Sequence, residues 1–194
     1  MTPDTPTWQT LLAAAQANNP QPHNRFAQLA TVQGSHEPRP MVRTVAMRFF
    51  LDDARLLIST DMRSEKVGEL AANPACELCW YFTESREQFR LSGRAIVIGA
   101  AQAALEAKLA DAMQRTWAQR SSSARQSYTW PQPKRRLDDA ALFTRDEPMQ
   151  IPAHFALLLL EIQSVDYLNI AQNPHQRVAF SKLGGQWMPR VINP

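Results

Sequence analysis

The amino-acid sequence predicts a mainly β fold: a closed or nearly closed antiparallel barrel with a few helices at its periphery. Segments with apolar residues at every second position outnumber segments with helical spacing. Strands and helices do not alternate in the regular order that builds a parallel sheet, which favours a barrel over an α/β fold. The 194 residues are predicted to form one domain, 1–194, because domains commonly have about 150 residues.

A short amphipathic helix is predicted at about residues 5–17, before the barrel. Thr5 supplies a capping hydroxyl, Pro6 suits the first helical position, and Asn18-Asn19-Pro20 ends the run. The barrel would then occupy residues from about 25 to 194. Its strands are predicted at 25–32, 40–50, 55–60, 76–82, 88–98, 155–165, 177–182 and 187–192.

Two helices, a loop and a turn complete the predicted architecture. A short helix is expected within Asp61–Asn73, where apolar residues keep helical spacing. A longer helix is expected at about 100–119, with Leu105 on its apolar stripe. The Ser-, Arg- and Pro-rich segment 121–136 is expected to be a surface loop, and Gly184-Gly185 the turn of a last hairpin.

The charge of the chain favours a small anionic ligand over a nucleic acid. The net charge is +3 and the pI about 9.1, a mild excess compared with the dense basic face of a nucleic-acid-binding protein. Of the 21 basic residues only four are lysines, and arginine is suited to bidentate capture of phosphate or carboxylate. High genomic GC content would also enrich arginine.

No membrane association is expected from the apolar segments. The longest apolar stretch, Phe155–Leu160, is far shorter than the roughly 18–20 residues that a spanning helix needs. Residues 1–19 lack the basic lead of a secretory signal, and glutamines and asparagines interrupt their apolar positions. We therefore expect a cytoplasmic protein.

Cys76 and Cys79 have the C-x-x-C spacing found at zinc and redox sites. They lie in a segment predicted to be a strand, where residues three apart point to opposite faces about 10 Å apart. Thiols placed in this way could neither chelate one ion nor form a disulfide with each other. The sequence has no second cysteine pair, so no metal site is predicted.

Two groups of cationic and hydroxyl side chains are candidates for binding an anion. Glycine-rich phosphate loops are absent from the sequence, so a phosphate would be held by side chains. Arg43-Thr44 and Arg48 lie on the second predicted strand. The segment 59–66 joins the third strand to a helix N-terminus, whose partial positive charge favours an anion. A capped helix with a solvated basic turn would explain segment 59–66 without a ligand, and an edge strand whose arginines face water would explain Arg43 and Arg48.

Six motifs resemble, in order and spacing, those of the pyridoxamine 5'-phosphate oxidase family, over about residues 25–194. They are Arg43-Thr-Val-Ala-Met-Arg48; Ser59-Thr60; Arg63-Ser64-x-Lys66 with Glu69-Leu70 and Asn73-Pro74; Arg86-Glu-Gln88-x-Arg90-x-Ser92-Gly93; Pro174-His175-Gln-Arg177; and Trp187-x-x-Arg190-x-x-Asn193-Pro194. Proteins of this family are FMN-binding split β-barrels. The resemblance implies this fold, FMN as cofactor, and a homodimer with flavin sites at its interface.

The resemblance also implies roles for individual residues. The implied cofactor-binding residues are Arg43, Thr44, Val45, Arg48, Ser59, Thr60, Arg63, Ser64, Lys66, Gln88 and Arg177. The FMN phosphate would be held by Arg43, Ser59, Thr60, Ser64 and Lys66, and the flavin edge by Gln88. Arg48 and His175 would contact the substrate, with His175 and Arg177 supplied by the partner subunit. No catalytic residue is identified.

Three positions depart from the family pattern. Glu65 stands where the family has an arginine before the phosphate-binding lysine, and Arg63 is a candidate to compensate. Leu168 aligns with a tryptophan beside the flavin, and Asn173 aligns with a substrate-binding arginine. The flavin site is therefore better preserved than the substrate site.

These observations predict an oxidoreductase in which FMN accepts a hydride from a small anionic substrate. Oxidation of pyridoxamine phosphate is expected to be slow or absent. The alternatives are an FMN-dependent enzyme with an unrelated substrate, a flavin-binding protein without turnover, and a basic nucleic-acid-binding module. Arg120 and Trp117 are further candidates for substrate contact, although core packing is the expected role of Trp117.

Overall fold

The computed structural model describes residues 5–137, 143 and 146–194. Within them the strands are β1 (Phe26–Gln33), β2 (Arg39–Phe50), β3 (Arg55–Asp61), β4 (Ala75–Phe82), β5 (Glu87–Ile98), β6 (Phe155–Asn169), β7 (Gln176–Leu183) and β8 (Gln186–Ile192). The α-helices are α1 (Trp8–Asn18), α2 (Glu65–Ala72), α3 (Ala100–Ala103), α4 (Ala107–Ala118) and α5 (Ser122–Gln126). None of the described helices is long and apolar enough to cross a membrane.

The strands form one antiparallel sheet that closes on itself. Their order is β3-β2-β1-β4-β5-β6-β7-β8, and a further pairing joins β3 to β6. Strands β1 to β6 therefore make a closed barrel, from which β7 and β8 extend as a hairpin. The antiparallel barrel predicted from the sequence is confirmed.

Strand β6 holds the two parts of the sheet together because it has three neighbours. One edge pairs with β5 from Leu157 to Asn169. The other edge pairs with β3 over Phe155–Glu161 and then with β7 over Ser164–Asn169. The barrel opens where β6 changes partner, so the hairpin β7–β8 begins only where β3 has ended.

The first half of β6 is buried on both faces, which explains the unbroken apolar run Phe155–Leu160. Leu158 and Leu160 belong to the core inside the barrel. Leu157 and Leu159 belong to a second core, which they share with the buried face of α4. A strand covered on both faces has a nearly continuous apolar sequence rather than an alternating one.

Helices α1 and α4 complete these two cores with tryptophans. Trp8 of α1 is fully buried, and its ring centroid lies 5.8 Å from that of Phe50 and 5.5 Å from that of Trp187. Trp117 of α4 packs edge-on against Phe155, with the ring centroids 5.0 Å apart. Trp117 therefore has the core role expected from the sequence.

Helix α1 begins at Trp8, later than the sequence predicted. Its cap is Thr7 rather than Thr5, because Thr7 Oγ1 accepts a hydrogen bond from the backbone N–H of Thr10 at 3.2 Å. Pro6 therefore precedes the helix instead of opening it.

The expected helix at 100–119 is divided into α3 and α4, so that prediction was wrong. Glu106 has an extended backbone, with φ −134° and ψ 117°, which interrupts the helical hydrogen bonds. Leu105 lies between the two helices and is exposed rather than part of the buried stripe. The segment 121–136 is not entirely a loop either, since it contains α5.

Cys76 and Cys79 lie on opposite faces of β4, as the alternation predicted. Cys76 belongs to the barrel core, whereas Cys79 is partly exposed on the outer face. Burial raises the pKa of the Cys76 thiol to about 12. Cys76 is therefore a packing residue.

Strand β6 contains a bulge at Gln163, because Ser92 of β5 pairs with Ser164 and Gly93 pairs with Ile162. A Cβ atom at Gly93 would lie 2.0 Å from the carbonyl oxygen of Glu161. The two backbones can approach this closely only because Gly93 has no side chain.

We expect Gly93→Ala to lower the free energy of unfolding by about 2 kcal/mol or more, because β5 and β6 must move apart. Gly68→Ala is the matched control: a Cβ at Gly68 in α2 meets nothing within 4 Å. Gly68→Ala should raise the free energy of unfolding by about 0.5–1 kcal/mol, because alanine favours a helix more than glycine does. Urea unfolding followed by tryptophan fluorescence measures both variants. Wild-type stability of Gly93→Ala would contradict the bulge geometry.

Candidate functional site

Lys66 and two hydroxyl groups form a hydrogen-bonded set at one end of the barrel, which we call the Lys66 cluster (Thr60, Ser64 and Lys66). The turn between β3 and α2 brings the two hydroxyls towards the ammonium group. Lys66 Nζ donates to Ser64 Oγ at 2.9 Å and to Thr60 Oγ1 at 3.2 Å. Tyr128 secures the end of β3 by donating its hydroxyl to the Thr60 carbonyl at 3.1 Å.

The Lys66 ammonium group has no carboxylate partner within the described part of the chain, where its polar contacts are the two hydroxyls. Burial lowers the pKa of Lys66 below its ordinary value, and the positive charge of Arg43 lowers it further. Ser64 makes no side-chain capping bond to the first amide groups of α2. A cation, two hydroxyls and a helix N-terminus together suit a phosphate or another dianion.

Arg43 reaches the same end of the barrel from β2, but it is paired with an acid. Its Nη2 donates to Glu69 Oε2 at 2.6 Å, and its Nη1 donates to Thr31 Oγ1 and to the Met41 carbonyl. The Glu69 side chain is only 3% exposed. The Arg43–Glu69 contact is therefore a buried ion pair beside Lys66.

A second cationic group, which we call the Ser59 cluster (Arg48, Ser59 and Arg120), adjoins the first. Arg48 Nε donates to Ser59 Oγ at 3.1 Å, and Arg120 Nη1 donates to the same oxygen at 2.8 Å. Arg48 comes from β2, and Arg120 follows the end of α4. Ser59 and Thr60 are consecutive in β3 and point to opposite faces, which separates the two clusters.

Arg48 is the extra residue of a β-bulge. Met47 pairs with Ile58 and Phe49 pairs with Leu57, so Arg48 has no partner in the register. Bulges bend a strand and redirect a side chain, often beside active sites. The bulge explains how a residue of β2 turns its guanidinium towards a hydroxyl of β3.

The Ser59 cluster contains two positive charges and no acid. Among the described residues, Arg48 and Arg120 contact a hydroxyl and a backbone carbonyl but no carboxylate. Burial lowers the pKa of Arg48, and the charges of Arg120 and then Arg25 lower it further. Arg120 Nε is buried without a hydrogen-bond partner. This arrangement is unfavourable until an anion binds, so it points to an anionic ligand.

Arg63 does not join the Lys66 cluster. Its Nη2 lies 2.7 Å from Asp61 Oδ2, and its Nη1 donates to the Trp130 carbonyl at 2.8 Å. These contacts brace the turn after β3. They give no support to the hypothesis that Arg63 compensates for the arginine missing at Glu65, which is itself exposed.

Thr44 and Val45, both predicted to bind the cofactor, differ in accessibility. Thr44 is exposed on the outer face of β2, whereas Val45 is 7% exposed and belongs to the barrel core. A ligand could therefore contact the side chain of Thr44 but only the backbone of Val45.

Gln88 and Arg177 lie on the outer face of the sheet. Gln88 of β5 pairs with Leu168 of β6, which pairs with Arg177 of β7, so the three side chains form one row. Arg177 Nη2 donates to Asp166 Oδ2 at 2.6 Å. His175 is exposed just before β7.

This row extends away from the two clusters of the same chain. In the closed sheet, β7 is three strands from β2 by way of β3 and β6, and β5 is three strands from β2 by either route. Leu168 of this row lies eleven residues along β6 from Leu157, the partner of Ser59, which at about 3.3 Å per residue is roughly 36 Å of strand. The structure brings Arg48, Ser59, Thr60, Ser64 and Lys66 to one end of the barrel and does not bring His175 or Arg177 there.

Three side chains at the clusters were missed or given little weight from the sequence: Glu69, Arg120 and Tyr128. Arg120 and Tyr128 lie beyond α4, and no spacing in the sequence connects them to β3. A signal did exist for Glu69, because an acid beside Leu70 on the buried side of a short helix requires a buried cationic partner.

Comparison with known proteins gives one consistent family. Residues 5–99 match the family model described as pyridoxamine 5'-phosphate oxidase, FMN-binding domain. A protein from Arabidopsis thaliana named pyridoxine/pyridoxamine 5'-phosphate oxidase 2 is 36% identical over 201 residues, which cover 97% of this chain and 97% of that protein.

Two solved structures share the architecture of the barrel. A pyridoxamine 5'-phosphate oxidase-related, FMN-binding protein from Nostoc punctiforme superposes with a TM-score of 0.88 at 32% identity, covering 98% of this chain and all of that chain. PhzG from Burkholderia lata, solved in complex with tetrahydrophenazine-1-carboxylic acid, superposes with a TM-score of 0.77 at 20% identity, covering 100% of this chain and 98% of that chain. The first confirms the split-barrel fold, and the second is similar in fold.

We expect Lys66 to titrate at a lower pH than the lysines of the unfolded chain, because burial and Arg43 disfavour its charged form. Arg43→Ala removes the nearby positive charge and leaves Glu69 without its cation, so both effects should raise the pKa of Lys66. Arg43→Lys keeps the positive charge and is the matched control. NMR titration of lysine labelled at Cε, assigned with Lys66→Arg, measures the shift. No response to Arg43→Ala would contradict this coupling.

Proposed function

This chain belongs to the pyridoxamine 5'-phosphate oxidase family, and from that membership we propose that it is an oxidoreductase in which FMN accepts a hydride from a small anionic substrate. The family and its FMN cofactor rest on the match at residues 5–99 and on the 36% identity to the Arabidopsis protein. The observation that carries the substrate class is the Ser59 cluster, where two arginines meet without an acid.

The residues present fit the phosphate of FMN. We propose that Lys66, Ser64 and Thr60 hold the phosphate, with Arg43 beside them. The ammonium group of Lys66 has hydroxyls rather than a carboxylate around it, so its charge is not already neutralised by a described residue. Charge-assisted hydrogen bonds of this kind are about twice as strong as neutral ones.

We propose that Arg48 and Arg120 bind the anionic group of the substrate. Both guanidinium groups donate to Ser59 Oγ, so they converge on that hydroxyl. Arg120 also borders a cavity of about 400 Å³ whose aromatic lining includes Tyr128, Trp130 and Phe143. A cavity with an aromatic lining and a cationic wall gives room to a small cyclic anion.

When bound, FMN supplies the hydride-accepting chemistry. The contribution of the chain is to bind and orient. Tyr128 and the pairing of β3 with β6 fix Ser59 and Thr60, each of which belongs to one of the two clusters. A substrate anion paired with Arg48 and Arg120 would compensate their positive charges, since burial and cationic neighbours lower the pKa of Arg48. Substrate orientation and charge compensation would therefore occur in the same step.

We further propose that the protein acts as a homodimer with both flavin sites at the interface. Arg177 and His175 lie near the end of β6 that is remote from the partners of Ser59 and Thr60, so we propose that a second copy brings them to the cofactor. The outer face of β2, β1 and β4 also exposes Val42, Phe26 and Tyr81, at 64%, 41% and 40%. Exposed apolar side chains on a sheet face are typical of a surface that another protein covers.

The substrate is proposed to differ from pyridoxamine phosphate, although the name of the Arabidopsis relative points to that compound. Asn173 cannot make the ionic contact that an arginine would make. The loss of one charge-assisted contact corresponds to about 1.5–3 kcal/mol, or roughly ten- to a hundredfold in rate. Leu168 also leaves one wall of the flavin pocket without its aromatic ring.

Asn173→Arg should raise the rate of flavin reduction by pyridoxamine phosphate about tenfold or more over wild type, because it restores a charged partner for the substrate phosphate. Gln172→Arg adds the same charge at the exposed neighbouring position and should not raise it. Anaerobic stopped-flow absorbance of the FMN-loaded proteins measures both rates. Fast reduction by the wild type would show that Asn173 is no handicap. A flavin that no small anionic amine or alcohol reduces, in any variant, would favour a non-catalytic flavin-binding protein.

Heterodimers of Arg43→Ala and Arg177→Ala should recover one tight FMN site, whereas each homodimer should have none. In the proposed arrangement one site of the heterodimer carries both defects and the other carries neither. Two different affinity tags allow the heterodimer to be purified after co-expression, and flavin fluorescence quenching gives its stoichiometry. If the heterodimer binds FMN no better than the two parents, Arg177 does not serve the flavin of its partner.

A further inference from the structure

We propose that Glu69 is a positioning residue for the cofactor phosphate, which acts by holding the Arg43 guanidinium beside the Lys66 cluster. Glu69 carries the same sign of charge as the phosphate and would not contact it. Its effect on the cofactor would pass through Arg43. The inference rests on the FMN phosphate site proposed above.

Two sets of acceptors fix the orientation of Arg43. On one side, Glu69 Oε2 accepts from Nη2 at 2.6 Å. On the other, Nη1 donates to Thr31 Oγ1 and to the carbonyls of Met41 at 3.0 Å and Leu29 at 3.4 Å. A guanidinium held at both terminal nitrogens cannot rotate in its plane. Its Nε–H and the second Nη2 hydrogen have no acceptor among the described residues and remain for a ligand.

Helix α2 places this arrangement next to the phosphate site. Lys66 and Glu69 are three residues apart in α2, so they lie on the same face of the helix. An arginine bound by Glu69 is therefore adjacent to the Lys66 ammonium group. The pKa of Lys66 agrees, since the charge of Arg43 lowers it while that of Glu69 raises it.

Thr31 makes Glu69 a rigid acceptor. The Thr31 hydroxyl donates to Glu69 Oε2 at 2.5 Å, the same oxygen that accepts from Arg43. Glu69 Oε1 is buried and has no hydrogen-bond partner. One oxygen thus carries both described contacts of the carboxylate, and losing either contact should loosen Arg43.

Positioning and simple electrostatics predict opposite results when the charge of Glu69 is removed. A buried negative charge near a phosphate opposes binding, so electrostatics alone predicts tighter FMN binding in Glu69→Gln. If Glu69 positions Arg43, the variant should instead bind FMN more weakly. Riboflavin, which lacks the phosphate, should be unaffected because Arg43 makes no contact with it in this arrangement.

The experiment measures FMN and riboflavin affinities by fluorescence quenching of the apoprotein. For Glu69→Gln we expect the Kd of FMN to rise about tenfold, which corresponds to the loss of one charge-assisted contact. The Kd of riboflavin should change less than about twofold. Glu65→Gln is the matched control, because Glu65 is an exposed acid of the same helix paired with Lys134. It removes the same charge and should not weaken FMN binding.

A double-mutant cycle tests whether Glu69 acts through Arg43. In an Arg43→Met background, Glu69→Gln should cause no further loss of the preference for FMN over riboflavin. An undiminished loss in that background would overturn the proposal, as would unchanged or tighter FMN binding in Glu69→Gln. Parallel weakening of FMN and riboflavin would show a merely structural role and would also overturn it.

Thr31→Val provides a second variant that keeps the charge of Glu69 and suits a β-strand. Thr31→Val should weaken the binding of FMN but not that of riboflavin, and by less than Glu69→Gln does. If Glu69→Gln does not fold, Thr31→Val alone tests the proposal. Wild-type preference for FMN in Thr31→Val would then overturn the proposal. The wild type separates this inference from the function on which it rests: a wild type that binds riboflavin as tightly as FMN would refute the phosphate site itself.

Discussion

The pairing of β3 with β6 is the constraint on which both cationic clusters depend. It closes the barrel and places Ser59 opposite Leu157 and Thr60 opposite Ala156. These two strand residues therefore have fixed, opposite directions, and each provides a hydroxyl to a different cluster. Without this pairing the end of β3 would be free to bend. The positions of Arg48 and Lys66 relative to each other would then not be fixed. The barrel thus determines the distance between the two proposed anion sites.

The clusters differ in how their positive charge is compensated. In the Lys66 cluster, Lys66 contacts only hydroxyls, and Glu69 neutralises the neighbouring Arg43. In the other, no described acid compensates Arg48 or Arg120, and the face of Tyr128, 4.9 Å from the Arg120 guanidinium, offers only a partial substitute. Burial and like charges lower the pKa values of Lys66 and Arg48 in consequence. Partly buried positive charges that no described acid compensates favour the binding of anions.

The strands could be predicted from the sequence because alternation and turns are local signals, as in β5 and in the hairpin at Gly184-Gly185, where both glycines have positive φ. The motif resemblance also located Lys66 and its hydroxyls. The bulge at Arg48 could not be predicted, since it depends on the register with β3. For the same reason Arg120 carried little weight: its contact with Ser59 joins residues 61 positions apart. The role implied for Arg63 finds no support because Arg63 forms an ion pair with Asp61, and the resemblance contains no signal for that pairing.

Two of the three positions that depart from the family pattern lie apart from the Lys66 cluster. The Lys66 cluster belongs to the closed barrel, where Thr60 is held by β6 and Tyr128. Leu168 lies in the half of β6 that has left β3 for β7, and Asn173 lies in the connection between β6 and β7. Changes at these two positions leave every described contact of the Lys66 cluster intact. In the proposed dimer they would face the flavin of the other subunit, so a change of substrate preference at these positions would leave the proposed phosphate site unaltered.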